Sequence, residues 1–90
     1  MPVILPSATG ITRDLSTSGV FFWTRSGALA AGNRISFAVQ IRRPAGRMRL
    51  ICRGEIVRTE RYDAMLGVAV RILESVMEPL PQRLRVIKRP

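Results

Sequence analysis

The chain reads as an all-β domain, a six-stranded antiparallel β-barrel followed by a short C-terminal helix or tail. Three features lead there. Apolar residues recur at every second position in several runs, as in Ile35, Phe37, Val39 and Ile41 or Leu66, Val68, Val70 and Ile72, which is the period of a half-buried strand. The runs are separated by short segments rich in glycine, proline, serine and aspartate, residues that reverse a chain rather than carry a helix. Six such runs fall within residues 1–73, and closing six strands into a barrel hides the edges that an open sheet would expose.

Taken in order, Pro2 to Leu5 is a short β-prone piece closed by Pro6-Ser7, and Thr9 to Leu15 is a second strand rich in β-branched residues. Gly19 to Arg25 is a third, with Val20, Phe22 and Thr24 on one face and Phe21, Trp23 and Arg25 on the other. Apolar residues on both faces imply burial by the core on one side and by a terminal helix or a partner on the other. Ser26 to Gly32 is expected to be a turn with one loose helical winding ended by Gly32. Asn33 to Ile41 alternates strictly. A hairpin loop, Arg43-Pro44-Ala45-Gly46-Arg47, leads into a long strand reaching about Arg61. That strand sets Met48, Leu50, Cys52 and Ile56 against Arg47, Arg49, Arg53 and Glu55, with Ile51 and Val57 interrupting the polar face and Gly54 marking a bulge or bend. Tyr62-Asp63 turns the chain into Ala64 to Ile72, where Gly67 permits close backbone approach. Beyond Leu73 the pattern changes: residues 74–90 are expected to form a basic helix or tail, with a helical turn over Glu74 to Glu78 and a brief amphipathic helix starting near Pro81.

Composition limits function. Ninety residues, 47% of them hydrophobic, suffice for one core. No apolar stretch approaches the roughly 20 residues that span a bilayer, and Met1-Pro2-Val3 lacks the charged start of a secretory signal, so a cytoplasmic protein without membrane insertion is expected. With no histidine and one cysteine, Cys52, a metal centre is improbable, and no residues are placed for proton transfer or nucleophilic catalysis, so an enzyme is not expected. The net charge of +9 comes from fourteen arginines and Lys88 against six acids. Arginine's planar fork matches phosphates and guanine edges, so an anionic partner follows.

The stretch with the most local information is Asp14-Leu15-Ser16-Thr17-Ser18-Gly19 and the run Val20 to Trp23 that leaves it. Two short polar side chains at alternating positions and a glycine make a tight strand-to-strand corner. Its oxygens serve either a ligand or their own backbone N–H groups. Phe21 and Trp23 either stack on a base or, as strands apolar on both faces more often do, pack against protein.

Asp14-x-Ser16-x-x-Gly19 with its apolar strand, the alternating strand after a Gly-rich turn, Gly54-Glu55-Ile56-Val57-Arg58 and Leu66-Gly67-Val68-Ala69-Val70 together resemble the PilZ domain, a bacterial module. The likeness runs from about Val3 to Ile72. It implies a six-stranded barrel of PilZ type that binds cyclic di-GMP and relays the signal to a protein partner. Under that resemblance Asp14 accepts from guanine N–H groups, Ser16 offers a hydroxyl and Gly19 lets the backbone come close. Nucleotide-binding members usually also carry Arg-x-x-x-Arg ahead of the first strand, which this sequence does not show there. Either a preceding segment carries it or the chain is a member that has lost ligand binding and works through protein contacts. Arg13, Arg25 and Arg58 would compensate in part for a missing phosphate clamp. Two further classes stand beside the nucleotide receptor: a ligand-free adaptor using the Phe21 and Trp23 face, and a basic small barrel that binds nucleic acid, for which a regular row of exposed aromatics is lacking.

Overall fold

The computed structural model describes residues 1–25 and 28–80. Six strands follow in chain order: β1 (Pro2–Ile4), β2 (Thr9–Leu15), β3 (Gly19–Thr24), β4 (Arg34–Arg43), β5 (Gly46–Tyr62) and β6 (Met65–Pro79). All neighbours are antiparallel, and they close in the order β1-β2-β3-β6-β5-β4. The expected six-stranded barrel is therefore the fold.

Alternation does most of the sorting. Val3, Val20, Phe22, Phe37, Val39, Cys52, Ile56, Leu66, Val68 and Val70 all point inward and are buried. Thr24 is a buried polar member of the inward face of β3, and its hydroxyl donates to the carbonyl of Thr9 (2.8 Å). Cys52 sits in the core as its position predicts, and burial raises its thiol pKa.

Two strands outgrow the barrel. β3 runs alongside β6 only as far as the pair Gly19 and Arg71, whereas β5 and β6 stay paired to Met48 and Pro79. The ends of β4, β5 and β6 thus form a three-stranded extension, and the described residues span 51 Å along the longest axis. The joint lies at Gly54. There the register shifts, Arg53 pairing with Glu74 and Gly54 with Ile72, so that Leu73 is the extra residue. A Cβ on Gly54 would lie 2.5 Å from Val70 Cγ1 and 2.6 Å from the Arg71 carbonyl oxygen, which explains why only glycine lets the strands cross so closely here.

Three expectations need correction. Glu74 to Glu78 is strand, not a helical turn, because Ile51, Arg53 and Arg49 of β5 supply ladder partners and ion pairs to Val76, Glu74 and Glu78. The boundary expected at residue 73 consequently falls inside β6, and the brief helix expected from Pro81 lies outside the described residues. The loose winding before Gly32 is also not formed by its described part. Residues 28–30 are irregular and Ala31-Gly32 is a turn in which Gly32 takes φ of 93°, a conformation glycine adopts without strain. Finally, no helix covers the outer face of β3 among the described residues. Its cover comes from its own sheet.

Candidate functional site on the outer barrel wall

In strict alternation, β2 could not place both Leu15 and Asp14 usefully. Thr12 pairs with Phe22, but Asp14 pairs with Phe21, so Arg13 is an extra residue. Without this bulge Asp14 would oppose Val20 and point into the core. With it, Leu15 packs against the core while Arg13 and Asp14 both stay outside. The same device recurs on β5. Ile56 pairs with Val70 and Arg58 with Ala69, leaving Val57 as the extra residue. Without it Arg58 would oppose Val68, a core residue.

The two bulges complete one cross-strand row on the outer wall: Asp14, Phe21, Ala69 and Arg58, on β2, β3, β6 and β5 in turn. Phe21 is its floor. The ring is only 5% exposed, because the Arg13 guanidinium lies 4.0 Å from its centroid, Arg58 lies 5.7 Å away, and Trp23 meets it edge-on at 5.3 Å. Gly67 makes the space. A Cβ there would stand 2.6 Å from Phe21 Cζ and 2.9 Å from Trp23 Cζ3, so the absence of a side chain lets both rings lie over β6. The second side of β3 is thus covered by its neighbours' side chains rather than by another element.

Arg13, Asp14, Ser16, Gly19, Phe21 and Arg58 line one open depression of about 320 Å³. Five of these six are the residues singled out from sequence. Arg13 Nε donates to Asp14 Oδ2 at 2.8 Å, and both side chains are more than half exposed. Asp14 therefore does not cap the turn, and its Oδ1 has no partner among the described residues. Arg58 reaches Glu60 Oε2 through Nε and Nη2, both at 3.1 Å.

Ser16 behaves differently. Its hydroxyl accepts from the backbone N–H of Gly19 (3.2 Å) and of Ser18 (3.4 Å), and its own N–H donates to the Gly19 carbonyl (2.9 Å). This is the turn-capping role, so the hydroxyl is engaged by the corner itself. Gly19 likewise has a structural reason: a Cβ would stand 3.0 Å from the Val70 carbonyl oxygen. Arg25 is not brought to this depression. It lines a separate one at the opposite end of β3, with Gly10, Ile11 and Met65.

Sequence reasoning missed Phe21 as the floor of the site and Glu60 as the partner of Arg58. Two small residues, Gly67 and Ala69, on the outward side of β6 are the signal that large side chains from a neighbouring strand lie across it. The consecutive apolar pair Ile56-Val57, which breaks alternation, is the signal of the second bulge. Next along the same wall, Ile11 (63% exposed) pairs with Trp23, and the ring of Tyr62 (69% exposed) lies tilted against the Trp23 ring at 6.2 Å. No family model, no curated protein and no solved structure matches this chain.

Proposed function

We propose that this chain is a PilZ-type bacterial signalling module whose outer barrel wall binds cyclic di-GMP, or descends from a receptor for it, and relays to a protein partner. The observation that supports the reading best is the convergence of Arg13, Asp14 and Arg58 around Phe21 through two separate bulges. A bulge costs ladder hydrogen bonds, and two of them serving one row point to the row as what is being preserved.

The chemistry suits a guanine nucleotide. Asp14 Oδ1 is free to accept from a guanine ring N–H and its amino group, charge-assisted contacts each worth about 1.5–3 kcal/mol. Arg13 and Arg58 carry cationic forks on either side, which favours phosphate oxygens and stacking on a flat base. Phe21 serves by holding those arginines, not by receiving a base, since its ring is already covered. Ser16 shapes the corner.

Calorimetric titration with cyclic di-GMP tests this, on the chain and on the Asp14→Ala variant, with cyclic di-AMP as the base control. The expected result is binding of the guanine compound only, weakened about tenfold or more in the variant. Where a gene encodes residues ahead of Met1, the extended chain belongs in the same experiment. Absence of heat in all forms would overturn the nucleotide reading.

A second reading has its own observation. Ile11 and Tyr62, both exposed, flank the half-buried Trp23 in an apolar strip beside the depression, a surface of the kind that docks on another protein. As an adaptor, the chain would lose its partner in Trp23→Ala and keep it in Asp14→Ala.

A further inference from the structure

The strongest unexplained charge lies at the far end of the molecule. Five of the six acids are held by arginines: Asp14 by Arg13, Glu55 by Arg71, Glu60 by Arg58, Glu74 by Arg53 and Glu78 by Arg49. Of the described arginines outside these pairs, Arg42, Arg43 and Arg47 gather at the tip of the β4–β5 hairpin, all exposed. Arg42 and Arg47 are direct cross-strand partners. Like charges directly opposite destabilise a sheet, so the tip is built against its own stability. The chain also leaves β6 here: the Leu80 N–H donates to the Arg47 carbonyl (3.0 Å), and the next ten residues in sequence contain Arg83, Arg85, Lys88 and Arg89 without an acid.

We propose that this hairpin tip docks on double-stranded DNA. Three features select that partner. The tip carries cations on both faces, since Arg42 and Arg47 share one side and Arg43, one position on, takes the other. A groove with a phosphate strand on each wall uses both sides, whereas a flat anionic membrane would use one. Between them stand only Pro44, Ala45 and Gly46, too small to insert into acyl chains, where an interfacial anchor carries Trp, Phe or Leu. The tip has no aromatic residue on which unpaired bases could stack, as single-strand binders require. Its size fits as well. Among the described residues, two pairs of the hairpin, Arg42 with Arg47 and Arg43 with Gly46, follow the last pair of β5 with β6, roughly 7 Å of ribbon against a B-form major groove about 12 Å wide and 8.5 Å deep. The narrow major groove of duplex RNA does not admit it. This surface lies roughly 30 Å along β5 from Arg58, so it is independent of the nucleotide reading.

The test is anisotropy of a labelled mixed-sequence DNA duplex with the full chain at several salt concentrations. Combined substitution of Arg42, Arg43 and Arg47 by alanine should weaken binding about tenfold or more. The logarithmic salt slope should become shallower by about 2.7, which is about 0.9 for each of the lost phosphate contacts. The same variant should melt at a higher temperature, because the Arg42 and Arg47 repulsion is gone, so unfolding cannot explain the loss. A control that removes Arg25, Arg34 and Arg61 instead should keep the wild-type slope. Equal losses in both triple variants would overturn the proposal in favour of diffuse charge. Failure of the intact chain to bind duplex would also overturn it, as would equal or tighter binding of single strands. So would capture by phosphatidylserine vesicles in place of DNA.

Discussion

The two halves of β5 face solvent in opposite ways. From Gly54 to Tyr62 the strand belongs to the barrel wall; its Arg58 is paired with Glu60, its register is bulged, and Arg58 converges with side chains of β2 and β3 on one depression. From Gly46 to Arg53 it belongs to the extension, where alternation is regular, Ile51 and Val76 are exposed on one face, and the arginines nearest the tip have no acid beside them among the described residues. The wall thus concentrates mixed donors and acceptors of both signs, the vocabulary of a small polar ligand. The tip concentrates one sign only, the vocabulary of a polyanion.

The contrast in burial carries the largest expected effect. Phe22→Ala in the barrel core should cost about 3–5 kcal/mol in denaturant unfolding, while Val76→Ala, at a position 62% exposed, should stay within about 0.5 kcal/mol. A cost above about 1 kcal/mol at Val76 would mean that the extension is covered in solution, and the contrast between halves would fail.

The joint comes next. Gly54→Ala forces a Cβ onto backbone and should destabilise by about 1–3 kcal/mol. In Gly67→Ala the atoms nearest the new Cβ are ring atoms of Phe21 and Trp23; it should cost less in stability and more in ligand affinity, because moving Phe21 moves the two arginines that lie over it. The reverse ranking would place the strain in the wall rather than at the joint.

A smaller, pH-dependent effect marks the point where the extension meets the core. Burial raises the Cys52 thiol pKa, so above about pH 8.5 the unfolded chain releases this proton before the folded one does. Stability should fall as pH rises from there towards the folded pKa, by at most about 1.4 kcal/mol per pH unit. Cys52→Ala should lack that component of the decline when thermal stability is followed from pH 8 to 10. An identical alkaline decline in both proteins would place Cys52 in contact with water.

The smallest effect separates binding from folding. Arg13 and Asp14 are an exposed ion pair, so Asp14→Asn should change stability by less than about 0.5 kcal/mol while weakening the guanine contact. A larger destabilisation would make Asp14 part of the scaffold, and its binding variants uninformative.

Much of the architecture was legible because it rests on local chemistry. Strict alternation at Ile35 to Ile41 named the core face of β4, and Leu66 to Ile72 named that of β6. Gly54 announced a bulge before any partner strand was known. The five candidate residues Arg13, Asp14, Ser16, Gly19 and Arg58 were legible as well, and all line the depression. Their roles were less so. Ser16 caps its own turn, and Arg25, an equally plausible cation by spacing, faces elsewhere. The strand over Glu74 to Glu78 was missed because its stability comes from β5: glutamates that read as helix or tail in isolation are ladder members once Arg53 and Arg49 lie opposite.

By itself the sequence determined the number of strands, their inward residues and the excess of positive charge, since these depend on period, turn residues and composition. The tertiary structure alone decided which outward residues meet. Side-chain direction along a strand has a period of two, and one extra residue at Arg13 and another at Val57 reverse it. No periodicity in one segment reveals how far its neighbour has slipped, so the row from Asp14 to Arg58 exists only once four strands are paired.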